Sequence, residues 1–174
     1  MPRGSRRRGG FDLGYPWTFA DVFRVAVQLE QDGLAFYRRG RELNLNPGVV
    51  RVFAEIAADE EKHVRDFEDI YFARKDDAPR GASESDALAA LERLYRETIF
   101  GSDNPPRDQV EKLSSDAEAL RLGIRMEEDA IRFYEGLRPF AEKEEALLAI
   151  EELIQQERKH ASWLRNELSR LGTR

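Results

Sequence analysis

The chain contains two histidines, and each follows a glutamate by three residues: "EEKH" at 60–63 and "ERKH" at 157–160. Residues three apart on a helix share a face, so Glu60 points with His63 and Glu157 with His160. A carboxylate and an imidazole aimed at one point suit iron, manganese or zinc. A single such pair is ordinarily a solvated surface pair. Here the register argues for more. "LEQDGLAFY" (29–37) matches "MEEDAIRFY" (126–134), and Glu30 and Glu127, Glu60 and Glu157, and His63 and His160 are each 97 residues apart. Three chemically loaded positions on two separate helices keep one offset, which coincidence explains poorly.

Four long amphipathic segments must carry these residues. The first is expected from Thr18, with Asp21 in a capping-box-like frame, to about Leu43. "NLNPG" then turns the chain, with Asn46 as N-cap and Pro47 at the first helical position of a second helix reaching about Arg74. Residues 75–114 form a long crossover with a short helix near Ala87–Phe100. A third long helix starts at Ser115, with Glu118 as capping-box partner, and runs to about Leu137. The fourth covers roughly Glu142–Leu171. The expected fold is all-α: a four-helix bundle of two helical hairpins (18–74 and 115–171) joined by one long crossover.

The hairpins set the height of each ligand. The midpoint of Glu30 and Glu60 falls at position 45, inside the first turn, and that of Glu127 and Glu157 at 142, inside the second. Equal arms on an antiparallel hairpin meet at one level, so four carboxylates and two imidazoles should converge. Apolar neighbours flank them: Leu29, Phe36, Ile56, Phe67, Ile131, Phe133, Leu153 and Trp163. Four buried carboxylates cannot stay ionised together without positive charge, and two divalent cations supply four charges. Glu60 and Glu157 are the expected bridging ligands, because each lies on a helix that also supplies a histidine. Glu30 and Glu127 are the expected terminal carboxylates, with His63 on one metal and His160 on the other.

Tyr37 and Tyr134 stand two turns beyond Glu30 and Glu127 on the same face. They could act catalytically, by hydrogen-bonding metal-bound carboxylates or intercepting radicals, or be plain core aromatics. Gly33 and Ala130, three residues after the terminal glutamates, either leave a pocket over the metals or permit close helix packing.

"LEQDGLAFY", "EEKH", "MEEDAIRFY" and "ERKH" together resemble the rubrerythrin branch of the ferritin-like superfamily, over roughly residues 18–170. The resemblance implies a ferritin-like bundle with a non-haem di-iron centre that reduces hydrogen peroxide or reacts with dioxygen. Carried across, it implies Glu30, Glu60, His63, Glu127, Glu157 and His160 as ligands of two iron ions, with manganese or zinc as substitutes. There are two departures. Rubrerythrins proper carry a rubredoxin-like module with a four-cysteine iron, and this chain has no cysteine, so electrons would come from a separate donor protein. They also carry a further glutamate on the third long helix, where this chain has Ile124 and Ala130. The Glu30–Glu60–His63 half is also similar to the short ferritins of encapsulin shells, which build their site from two chains.

Composition bounds the rest. A net charge of −6 argues against nucleic-acid binding as the main business. Arg3, Arg6, Arg7 and Arg8 make residues 1–17 a basic arm, expected to be flexible. "FDLGYPWTFADVF" lacks the apolar run of an export signal, and no apolar stretch is long enough for a membrane span. The expectation is a cytoplasmic protein that forms a homo-oligomer, a dimer or larger. Its expected activity is di-iron oxidoreduction of peroxide or dioxygen, the alternative being ferroxidase chemistry with iron storage or handling.

Overall fold

Asn46 turns the first hairpin. Its side-chain Oδ1 accepts the Gly48 N–H at 3.0 Å, and Pro47 opens the helix that follows, whose first N–H would have had no helical partner. The computed structural model describes residues 19–43, 45–74, 82–102, 104–141 and 144–172. Helix α1 spans Phe19–Gly40, α2 Pro47–Arg74, α3 Ala82–Glu97, α4 Pro106–Gln109, α5 Asp116–Glu135 and α6 Glu144–Gly172. Among the described residues there is no strand. The packing is concentrated within two antiparallel pairs, α1 with α2 and α5 with α6. The all-α bundle of two hairpins and a crossover is therefore the observed architecture.

The core runs the length of the bundle, with Val25, Leu29, Phe36, Phe53, Ile56, Leu120, Phe133, Ile154 and Leu164 buried. Complete burial of each large apolar side chain contributes about 1.5–3 kcal/mol. Of the expected flanking residues, Leu29, Phe36, Ile56, Phe67 and Phe133 are buried, while Ile131, Leu153 and Trp163 pack on the core from half-buried positions.

Several boundaries differ from expectation. α1 ends at Gly40 rather than Leu43, and a turn follows through Arg41–Tyr37 and Glu42–Arg39 backbone bonds. The short crossover helix occupies Ala82–Glu97 rather than Ala87–Phe100, and just past its end the Thr98 N–H and Oγ1 both bond the Tyr95 carbonyl, at 3.0 and 2.7 Å. The stretch expected to be only connection after it contains α4, with Pro105 and Pro106 at its start. Ser115 caps α5 by accepting from Glu118 N–H at 3.2 Å. The return bond of the capping box shifts by one residue: Glu118 Oε2 accepts from Ser114 N–H at 2.9 Å. The Thr18 cap and the basic arm 1–17 lie outside the described residues, as do 75–81 of the crossover and the start of the fourth helix at Glu142.

Two buried aspartates fasten the crossover to the bundle. Asp129 Oδ2 accepts the Ile99 N–H at 2.7 Å, and Asp32 Oδ1 accepts from Arg107 Nη1 at 2.6 Å. The tight turn between them depends on Gly101, where a Cβ would lie 2.4 Å from the Tyr95 carbonyl oxygen and 2.8 Å from Arg96 Cα. Backbone atoms cannot swing aside as a side chain can. Gly101→Ala should therefore cost about 1–3 kcal/mol, as overpacking does. Thermal unfolding of the metal-free protein would show this, and an unchanged midpoint would refute the tight turn.

Candidate metal centre

Each hairpin brings its ligands to one level, as the equal arms require. Glu30, Glu60, His63 and Glu157 form one group of potential ligands, and Glu60, Glu127, Glu157 and His160 a second. Within each group the ligand atoms lie within 4.8 Å of one another. All six residues are at most 3% exposed, so water scarcely solvates their charges. Glu60 and Glu157 belong to both groups.

The atoms explain that sharing. His63 Nδ1 lies 3.3 Å from Glu30 Oε2, 3.8 Å from Glu60 Oε2 and 3.2 Å from Glu157 Oε1. His160 Nδ1 lies 3.0 Å from Glu157 Oε2, 3.4 Å from Glu60 Oε1 and 3.9 Å from Glu127 Oε2. Glu60 and Glu157 thus each turn one oxygen toward each histidine, whereas Glu30 and Glu127 each serve one. The imidazole rings are 6.0 Å apart between centroids. Among the described residues, neither His63 Nδ1 nor Glu157 Oε1, both buried, has a hydrogen-bond partner. Buried polar atoms normally have one, and a cation between these two groups would satisfy both. The donor set of carboxylates and imidazoles fits iron, manganese or zinc.

Protons hold the charges apart in the metal-free protein. Burial, then repulsion from Glu60, pushes Glu30 well above the usual carboxylate range. Burial, then repulsion from Glu157, does the same to Glu127. Burial raises Glu60 too, but the neighbouring Glu30 carboxyl and the His160 and His63 rings outweigh it and hold this carboxyl below its ordinary value. Burial and then Glu60 raise Glu157, but the His160 ring bonded to it at 3.0 Å and the nearby His63 ring outweigh them and bring it below its ordinary value. Burial opposes charging of both imidazoles, yet the surrounding carboxylates win. His63 rises far above its usual value, and His160 to about 12.

Tyr37 and Tyr134 do touch the cluster, with a crossing that sequence reading did not specify. Tyr37 donates to Glu127 Oε1 and Tyr134 to Glu30 Oε1, so each phenol holds a glutamate of the other hairpin. The bond leaves the Oε2 atoms facing the histidines. Burial and the nearby carboxylates push both phenols well above their usual range, so they remain protonated donors.

Gly33 and Ala130 border a cavity of about 10 Å³ beside Glu30, Glu60, Glu127 and Glu157, with Phe100 from the crossover in its wall. That is about the room one water-sized molecule needs. A Cβ at Gly33 would meet Glu60 Oε2 at 3.5 Å, an ordinary contact, so packing alone does not demand glycine there.

Sequence reading missed the outer partners. His63 Nε2 lies 2.9 Å from Gln156 Oε1, and His160 Nε2 lies 3.1 Å from Asp59 Oδ2. It also missed buried Asp32 and Asp129. Asp32 and Asp129 did leave a signal, as like residues that keep the 97-residue offset.

The fold and its buried cluster define a helical-bundle protein whose carboxylates and histidines can hold metal. The family model described as Ferritin-like domain matches residues 18–170, and the chain belongs to that family. No curated protein and no solved structure matches it. Among the described residues, no helix is long and apolar enough to cross a membrane.

Proposed function

We propose that the six residues hold two iron ions and that the protein is a non-haem di-iron oxidoreductase acting on hydrogen peroxide or dioxygen, as in the rubrerythrin branch. The observation that carries this reading is the pair of carboxylates, Glu60 and Glu157, each turning one oxygen to each histidine. When bound there, a diferrous pair would supply two electrons, enough with two protons to take peroxide to two waters.

The chain's own residues supply the rest. Glu60 and Glu157 join the two positions, and Glu30 with His63 and Glu127 with His160 complete them. Tyr134 and Tyr37 fix the terminal carboxylates by their Oε1 atoms, which keeps Oε2 in place as metal comes and goes. On the Gly33 side, the walls that include Leu29, Met126 and Phe100 leave room for about one water-sized molecule. A separate donor protein would restore the electrons.

Ferroxidase chemistry with storage or passage of iron is the second reading. Asp66 and Glu152 favour it, since both line a cavity of about 450 Å³ that reaches His63. Ferrous iron added in excess to metal-free protein in air distinguishes the two. Retention of about two ions per chain after desalting is expected, in line with the two positions a di-metal carboxylate site offers, with peroxide consumption as the next assay. Soluble uptake far beyond two ions would overturn the oxidoreductase reading in favour of a mineral store.

A further inference from the structure

The two halves of the centre are backed by different chemistry. Asp59 and Gln156 each precede a shared glutamate, occupy equivalent positions 97 residues apart, and take the outward Nε2 of the opposite hairpin's histidine. Both are acceptors at that nitrogen, so both place its proton on Nε2 and leave Nδ1 for the centre. Their strength differs. A carboxylate makes a charge-assisted bond and raises the basicity of the ring it holds, whereas the Gln156 amide is neutral. Lys159 Nζ lies 3.6 Å from the same Oδ2, farther off than His160 Nε2 at 3.1 Å, so the ring holds the closer contact.

A second difference has the same sense. The cavity of about 450 Å³ is lined by His63 and Gln156 together with Val22, Phe67, Leu137 and Leu153. His160 is not among its walls, and its ring packs on Trp163 with centroids 5.8 Å apart. One histidine is thus weakly backed and beside open space, and the other strongly backed and enclosed.

We infer that the two metal positions are inequivalent: the His160 position, backed by Asp59, fills first and retains its ion, while the His63 position, backed by Gln156, exchanges its ion through the adjoining cavity. This rests on the metal-centre reading above. Asp59 and Gln156 are positioning residues, acting on metal through the rings they hold.

Manganese(II) is the probe. At one equivalent on the full chain, anomalous scattering from crystals should place most of the manganese in the His160 position. A solution titration should show two steps separated by about 10–100-fold, the range that outer partners command. Asp59→Asn should weaken the first step by about that factor and leave the second nearly unchanged. Gln156→Glu, of the same shape, should tighten the second step alone and bring the two together. Equal filling of the wild-type positions would overturn the inference, as would Gln156→Glu shifting both steps alike, the mark of a general charge effect. Because Gln156→Glu removes no contact, it tests the inference even if Asp59→Asn fails to fold. Absence of manganese from both positions would instead sink the metal-centre reading.

Discussion

Glu60→Ala should abolish tight binding of both metal ions, whereas Glu30→Ala should spare one. The reason is geometric. Glu60 Oε2 faces His63 and Glu60 Oε1 faces His160, so its loss takes a ligand from each position at once. Glu30 approaches His63 and belongs to that group alone. Loss of an outer partner of a metal ligand costs about 10–100-fold in affinity, and loss of a shared ligand should exceed that at both positions. The metal-free variant should also be less stable, by about 3–5 kcal/mol, because a buried carboxylate that balances buried imidazolium is gone. Metal content after desalting and thermal unfolding of the metal-free form measure the two effects separately. Two ions retained by Glu60→Ala, or the loss of only one, would refute the sharing.

The centre was legible in the sequence because its chemistry is written as spacing. An i,i+3 pair fixes a face, and a hairpin with arms of equal length fixes a height, so Glu30, Glu60, His63, Glu127, Glu157 and His160 could be placed from numbering alone. Tyr37 and Tyr134 were legible only in part. Their face follows from helical period, but which glutamate each reaches depends on how one hairpin rotates against the other. The crossover was read least well. Its position rests on single long-range bonds, Asp129 to the Ile99 N–H and Asp32 to Arg107, that no periodicity encodes. Asp59 and Gln156 escaped notice for a related reason. Their partners lie across the bundle, and a polar residue beside a ligand reads as ordinary helix surface until the opposite histidine is seen to meet it.

Metal binding should release four protons per chain in mildly acidic solution, falling toward two as pH rises. In the metal-free core Glu30 and Glu127 are held protonated, His63 and His160 are charged, and Glu60 and Glu157 are ionised. Two imidazolium charges then balance two carboxylates. Two divalent ions with four carboxylates and two neutral rings are balanced as well, so loading exchanges four protons for four metal charges and the buried core stays neutral in both states. Each displaced proton makes binding of the pair about tenfold tighter per pH unit, so four give on the order of 10⁴. The carboxyl protons drop out of this count once pH exceeds the raised values of Glu30 and Glu127, and the imidazole protons persist toward pH 12, where His160 titrates. Stability follows the same signs. Groups raised in the folded state stabilise the metal-free protein below their unfolded values and lose that contribution as pH rises through the folded ones. Those groups are Glu30, Glu127, His63 and His160. Glu60 and Glu157, lowered on folding, contribute above their unfolded values and lose that as pH falls below about 4.5. Metal-free protein should therefore be most stable near that pH and weaken as pH rises, while metal-loaded protein gains over the same range. The gap between their unfolding midpoints should widen from about pH 5 to about pH 8, by several degrees per pH unit. Calorimetric titration in buffers of different ionisation enthalpy counts the protons, and paired melting curves follow the gap. Metal uptake without proton release, at a gap that does not move with pH, would mean that the six side chains do not hold the ions.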